Sequence, residues 1–436
     1  MSLATSDSVQ ELQRTLAGKS KSSPGCRFYS LYDKVYRTDV LREAWRRVKA
    51  NGGSSGSDGV TLGDVAKLGV EAFLSRLQEE LKTGRYKPTP LRRVYIPKAN
   101  GKKRPLSIPT VKDRVIQQAV RMVIEPLFEV HFSPSSYGFR PKRGAHDAVR
   151  EVVKLLNWGL VHVVETDIED CFGSIPHHRL MERLAARIAD GRVLGLIRAW
   201  LRCGVMEDGA VRSQTAGTPQ GGVISPLLAN VYLDALDQRW SRQAMTRREG
   251  ANAHLVRYAD DLVVLTDKST EPPSRLLMET LRRLELRAHP AKTRVLDTRE
   301  DDFDFLGFNF RKAVNPKSGK SFPLVLPSRK AQAALREKLR GVTAPYVQKQ
   351  IGEVVREMDP ILRGWVNYFR VAHSARVFTK VRGYANCRLR RYLRRRQKRH
   401  GYGWKNVPNE FFYGPLGLFY DYRVSWRVAA TVGAHG

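Results

Sequence analysis

The stretch His254–Leu265, His-Leu-Val-Arg-Tyr-Ala-Asp-Asp-Leu-Val-Val-Leu, constrains the fold more than any other part of the chain. Two apolar, β-branched runs flank adjacent acids, a pattern that predicts a strand, a tight turn and a second strand with Asp260 and Asp261 at the tip. Asp is an ordinary turn residue, so for the pair alone a solvated loop is the simplest reading. Side-by-side carboxylates repel, however, and each raises the other's pKa unless a cation lies between them. The remaining question is whether the chain completes a metal site.

Its charge says what such a site would serve. The 436 residues carry 76 Lys and Arg against 43 Asp and Glu, a net +33. An excess of that size points to a polyanionic partner, most plausibly nucleic acid, whose counterions are released as phosphates are neutralised. No apolar run reaches the roughly 20 residues of a spanning helix, and no signal peptide opens the chain, which argues against a membrane partner. Cys26, Cys171, Cys203 and Cys387 are scattered, which excludes a Cys-rich zinc module and a disulfide framework and fits a cytoplasmic protein.

Along the chain, a short helix is expected at Val9–Leu16, a helix over Phe28–Val48, a loop at Gly52–Gly59 and a helix over Val65–Thr83. Arg93–Pro97 and Lys103–Ile108 surround Asn100-Gly101, the preferred pair for a two-residue hairpin turn. That ribbon holds Arg92, Arg93, Lys98, Lys102, Lys103 and Arg104 with no acid, so a phosphate clamp and a solvated surface are equally good readings. Asp113 opens a helix that ends near Pro126. Val161–Ile168 reads as a buried strand on which Glu165 and Asp167 share a face with Val161 and Val163. A helix starts near Pro176. Thr218–Pro226 is a glycine-rich loop feeding a helix, where Gly allows close backbone approach. A helix over Pro273–Leu286, strands at Arg294–Leu296 and Phe303–Phe310, and a connector over 314–327 follow.

Beyond it the pattern is helical: Ser328, Pro345 and Asp359-Pro360 each open a helix, and a fourth runs from Arg376 to His400. Between Pro360 and Asn409 lie 14 Lys and Arg and no acid, more than solubility requires, which favours nucleic-acid contact. The tail beyond Gly401 reads as an aromatic loop.

An acid ending a strand at Asp167 and two at a hairpin tip, in a nucleic-acid-binding chain, suit two Mg²⁺ ions that would activate a 3′-hydroxyl and stabilise leaving pyrophosphate. Nine ordered motifs now make a resemblance specific. Phe28–Asp33, Gly56–Val60, Tyr95–Lys98, Arg104–Pro109, Tyr137–Pro141, Thr218–Pro226, Tyr258–Asp261, Phe305–Phe308 and Gly364–Phe369 resemble those of group II intron reverse transcriptases, from about residue 28 to 400.

The resemblance implies an α+β right-hand polymerase, with fingers and palm built on antiparallel sheet, followed by an all-helical thumb that doubles as the maturase domain. Its divisions would be a polar segment (1–27), an N-terminal fingers extension (28–90), fingers and palm (91–310), connector (311–327), thumb (328–400) and tail (401–436). It implies Asp167, Asp260 and Asp261 as metal ligands with the Ile168 carbonyl, for two Mg²⁺ or substituting Mn²⁺. Lys98 and Arg104 would grip the triphosphate, Phe172 would exclude the ribonucleotide 2′-hydroxyl, and Gln220 and Gly221 would line the nascent base pair. Lys292 would return a proton to pyrophosphate. Arg388, Arg390, Arg391, Arg394 and Arg395 would bind RNA.

The partners implied are an RNA template, a DNA primer, dNTPs and intron RNA, for a monomer or weak dimer in a cytoplasmic, nucleoid-associated ribonucleoprotein. Asp170 and Gly173 depart from the more usual Gly and Asp at those positions, adding charge beside the site. No endonuclease motif follows the thumb, so the chain resembles the subgroup that needs another source of primer. The expected activity is RNA-directed DNA synthesis with support of splicing; the alternatives are a splicing-only RNA binder and a domesticated enzyme of DNA repair or phage defence.

Overall fold

The computed structural model describes residues 6–97, 103–207, 210–212, 216–243, 252–344, 348–398 and 407–425. At its centre lies an antiparallel sheet in the order Ala253–Tyr258, Asp261–Thr266, His162–Asp167, Arg294–Asp297. Both faces are covered. Val164, Leu255, Leu262 and Val264 join one core, with the N-terminal helices and helices Val111–Glu129, His177–Ala185 and Ser225–Gln243. Val163, Val256, Val263 and Leu265 join a second core, with helix Ala145–Asn157 and the C-terminal helices. Burial on both sides explains why Leu262–Leu265 is continuously apolar where a half-exposed strand would alternate.

A second sheet carries the basic hairpin, in the order Lys103–Ile108, Leu91–Pro97, Val205–Glu207, Ala210–Arg212. A third, Ser321–Pro327, Phe308–Val314 and Phe303–Phe305, joins the central sheet to the C-terminal helices. The α+β class with antiparallel sheet and an all-helical C-terminal region is as expected.

Several element boundaries are corrected. The first helix is longer, Asp7–Ser22. The expected helix over 28–48 starts late, because Phe28 bridges to Ile188, and is two, Tyr32–Val35 and Thr38–Asn51. That over 65–83 breaks into Leu62–Leu68 and Val70–Lys82 at Gly69, whose φ of 101° is closed to other residues. Helix Val111–Glu129 starts earlier, where the Thr110 hydroxyl accepts the Asp113 N–H at 3.1 Å, and runs through Pro126. Phe303–Phe310 is split by a left-handed turn at Leu306 and Gly307.

The connector is largely strand: Ser321–Pro327 pairs along the whole of Phe308–Val314. Asp359-Pro360 opens nothing, since one helix runs Ile351–Phe369 with Pro360 inside it, held by the buried row Val354, Met358, Leu362 and Val366. The tail contributes helix Asn409–Tyr413 and seals the second core with Phe412, Leu418 and Phe419. Helices Ala145–Asn157 and Gly191–Arg202 were not expected from the sequence pattern. Asn100, Gly101, Pro345 and Val347 lie outside the described residues.

Candidate active site

The facing positions of two central strands bring the first and last acids together, for Asp167 pairs directly across from Asp261. Tyr258 also pairs with Asp261 across a two-residue turn, which puts Asp260 at the tip as expected. Ala259, the other turn residue, takes a left-handed φ of 56°, a conformation that costs free energy and persists only where the surroundings impose it.

They do so from two sides. A Cβ on Gly138 would lie 3.0 Å from the Tyr258 carbonyl carbon and 3.2 Å from Ala259 Cα, so only glycine lets this backbone close on the turn. From below, the fully buried Arg257 guanidinium donates to the Ala259 carbonyl (3.0 Å), Asn230 Oδ1 (3.1 Å), Ser136 Oγ (2.7 Å) and the Asp237 carboxylate (2.9 Å from Nε). The Ile168 N–H donates to the Asp260 carbonyl at 3.3 Å, fixing that residue beside the turn.

Like charges set opposite one another are unfavourable, and the acids register it. Burial raises the Asp260 carboxyl, and Asp167 adds to it. Asp261 is exposed to solvent yet walled in by the cleft; that enclosure, with Asp260 and Asp167, pushes it up to about 6. Burial also pushes Glu165 up to about 7, with Asp304 and Asp261 adding to the effect and Arg294 opposing it.

The Lys292 ammonium donates to Asp167 Oδ2. Burial alone would lower the Lys292 pKa, but the bond to Asp167 and the three negative charges outweigh it and raise it. Asp167 Oδ1 is buried without a hydrogen-bond partner. Among the described residues no three Asp, Glu, His or Cys side chains are gathered tightly enough to cage one ion. Magnesium does not need such a cage: it takes one or two carboxylates plus substrate phosphate oxygens, and an orphaned buried carboxylate oxygen facing two destabilised acids fits it.

A cleft of about 600 Å³ opens here, lined by Glu165, Asp167, Asp261, Lys292, Arg294 and Arg329. The glycine-rich loop is fastened between two elements. The Thr218 N–H donates to the Phe172 carbonyl at 2.6 Å, and the Ser107 N–H to the Gln220 carbonyl at 2.7 Å. A Cβ on Gly221 would lie 2.8 Å from the Ser107 carbonyl oxygen. The loop bearing Gln220 and Gly221 is thus tied to both Phe172 and Ser107. Arg104, three residues before Ser107, is near enough to Asp260 to stabilise its charge. Lys98, with Lys102, lies outside the described residues.

The arginines expected to bind RNA divide. Arg391 and Arg395 are exposed and Arg394 half-buried. Arg388 donates to the Thr343 hydroxyl at 2.9 Å and, with Arg395, to the Thr343 carbonyl, at the C-terminus of helix Arg329–Val342. Arg390 is a correction: it is 2% exposed, its guanidinium donating to the Val407 carbonyl (2.7 Å) and Asn409 Oδ1 (2.8 Å), so it anchors the tail and is closed to RNA.

Sequence reasoning missed Arg257, Asn230, Asp237 and Gly138 as supports of the acids. The signal for Arg257 was present: a lone charge in a strand otherwise built for burial needs a partner.

Residues 96–310 match the family model for reverse transcriptase (RNA-dependent DNA polymerase), and residues 332–409 that for the group II intron maturase-specific domain. Protein YkfC of Escherichia coli (strain K12) is 36% identical over 336 residues, 69% of this chain and 87% of that protein. The group II intron-encoded protein LtrA of Lactococcus lactis subsp. cremoris is 40% identical over 212 residues, 48% of this chain and 35% of LtrA. A 91 kDa protein in the cob intron of Schizosaccharomyces pombe is 27% identical over 431 residues, 82% of this chain and 53% of that protein. The chain therefore spans only about a third and about half of the latter two.

Proposed function

Because this chain belongs to the reverse transcriptases that carry a group II intron maturase-specific domain, we propose that it extends a DNA primer on an RNA template and binds intron RNA to support splicing. The observation that carries the polymerase reading is the direct pairing of Asp167 with Asp261, with Asp260 in the adjoining turn. A pure RNA binder gains nothing from three acids crowded in a cleft of so cationic a protein.

Asp167, Asp260 and Asp261, with the Ile168 carbonyl, would hold two Mg²⁺. When bound, such ions lower the pKa of the attacking hydroxyl and offset charge on the leaving group. Arg104, with Lys98, holds the triphosphate, and Phe172 stands where a ribose 2′-hydroxyl would clash. Gln220 and Gly221 form the wall against the new base pair. Lys292, whose ammonium donates a hydrogen bond to Asp167, would hand a proton to pyrophosphate. The basic face of helix Ala375–Arg396 contributes affinity for RNA. Among the described residues no helix is long and apolar enough to cross a membrane.

The test is primer extension on an RNA template with dNTPs. Extension should require Mg²⁺, stop with EDTA and vanish in the Asp260→Ala, Asp261→Ala double variant. Equal incorporation by both chains would refute the assignment.

A further inference from the structure

Asp170 is held in a left-handed conformation, φ 41°, at the start of the short helix Cys171–Ser174 that carries Phe172. Only glycine adopts that region freely, and Asp there costs free energy. The conformation is locked: the Gly173 and Ser174 N–H groups donate to the Asp170 carbonyl at 2.8 and 2.9 Å, and the Ser174 hydroxyl donates to it at 2.9 Å.

Three residues on, the chain has a glycine, and the two positions compete for one space. A Cβ at Gly173 would sit 2.6 Å from Asp170 Cγ and 2.8 Å from Asp170 Oδ1, so the Asp170 carboxylate occupies the space that any side chain at 173 would need. From there Oδ1 accepts from Gln220 Nε2 at 3.4 Å. The Gln220 backbone is already pinned by Ser107, and the loop before it by Phe172, so its side-chain amide is the remaining freedom.

We propose that Asp170 and Gly173 form a coupled pair whose function is to place one carboxylate against the Gln220 amide and so fix what that residue presents to the base pair. An ionised carboxylate only accepts hydrogen bonds. It therefore holds the NH₂ end of Gln220 toward itself and turns the carbonyl oxygen away, where an unrestrained amide would flip. Asp170 is thus a positioning residue, acting through Gln220 on nucleotide selection; the inference rests on the polymerase reading above.

The test compares single-nucleotide incorporation, misincorporation and melting temperature in full-length variants. Asp170→Gly relieves the backbone, so its melting temperature should hold or rise, while dNTP kcat/KM falls about fivefold, the factor one modest hydrogen bond carries. Gln220→Ala should cost less in that background than in the unsubstituted chain, as expected for two residues acting partly as a unit. Gly173→Asp alone should lose efficiency, because two carboxylates contest one space. The Asp170→Gly, Gly173→Asp double variant, which supplies the carboxylate from the other position, should return to within twofold of the starting chain. Unchanged kcat/KM in Asp170→Gly, full additivity with Gln220→Ala, or no recovery in the double swap would overturn the inference while leaving the polymerase intact. No template-directed incorporation by the unsubstituted chain would overturn the polymerase reading and the inference with it.

Discussion

Three carboxylates and the lysine beside them are the residues proposed to carry the chemistry, and their sequence context declared them unevenly. Asp260 and Asp261 were legible because two apolar strands leave the acids at their junction, although only Asp260 lies in the turn while Asp261 opens the second strand. Asp167 was legible as an acid ending an apolar strand. Its register against Asp261 was not, because pairing between strands nearly a hundred residues apart is set by the whole sheet. The Lys292–Asp167 bond was equally hidden, for a lysine in a loop looks solvated in any sequence. Phe172 yields a sharp expectation at this scale. Replacing it with Ala should admit ribonucleotides, read as a fall of at least tenfold in dNTP-over-rNTP kcat/KM, on the order of 1.4 kcal/mol of discrimination. Unchanged discrimination would reduce Phe172 to packing.

Among the elements, helix Ser225–Gln243 bears most directly on the acids, because Asn230 and Asp237 on one face of it grip Arg257 beneath the turn. The Arg257–Asp237 pair is fully buried, and breaking such a pair from one side leaves an uncompensated charge. Arg257→Met should therefore lose about 3–5 kcal/mol in chemical denaturation, with part recovered in the Arg257→Met, Asp237→Leu double variant. A loss below about 1 kcal/mol would count against the tether.

The same helix holds Asp234, whose Oδ1 is buried without a partner and whose carboxyl is pushed up to about 6 by burial and by Asp237. Its folded pKa lies above the ordinary carboxylate value. The folded state therefore binds the proton more tightly, and stability falls as pH rises from about 4 to about 6. Asp234→Asn should be more stable than the parent by about 2 kcal/mol at pH 7.5 and show no advantage at pH 4. An advantage that persisted at pH 4 would contradict this cause. Helices and strands with strong periodicity were legible here; what failed were breaks at Gly69 and Leu306, continuity through Pro126 and Pro360, and the Ser321–Pro327 strand, each decided by packing that local pattern does not encode.

Across the whole molecule, two cores clasp one sheet, and Asp167 and Asp261 sit at the ends of its two central strands, where they line the cleft. The net +33 was legible as a nucleic-acid partner, but the charge run did not reveal which arginines are exposed. Neutralising Arg391 and Arg395 should flatten the salt dependence of RNA binding by about 1.4 in slope, roughly 0.7 for each phosphate no longer neutralised. Arg390→Ala should instead lower the melting temperature and leave that slope alone, since its guanidinium holds the tail.

Asp167, Asp260 and Asp261 are proposed to act in chemistry and not in binding. Single-turnover incorporation of one dNTP on an RNA template, with RNA affinity measured in parallel, separates the two for Asp167→Asn, Asp260→Asn and Asp261→Asn. Each variant should lose at least about 10³ in rate, on the order of 4 kcal/mol, while its Kd for the primed template stays within threefold of the parent. Incorporation at the parental rate, or a loss of rate matched by an equal loss of RNA affinity, would contradict that role.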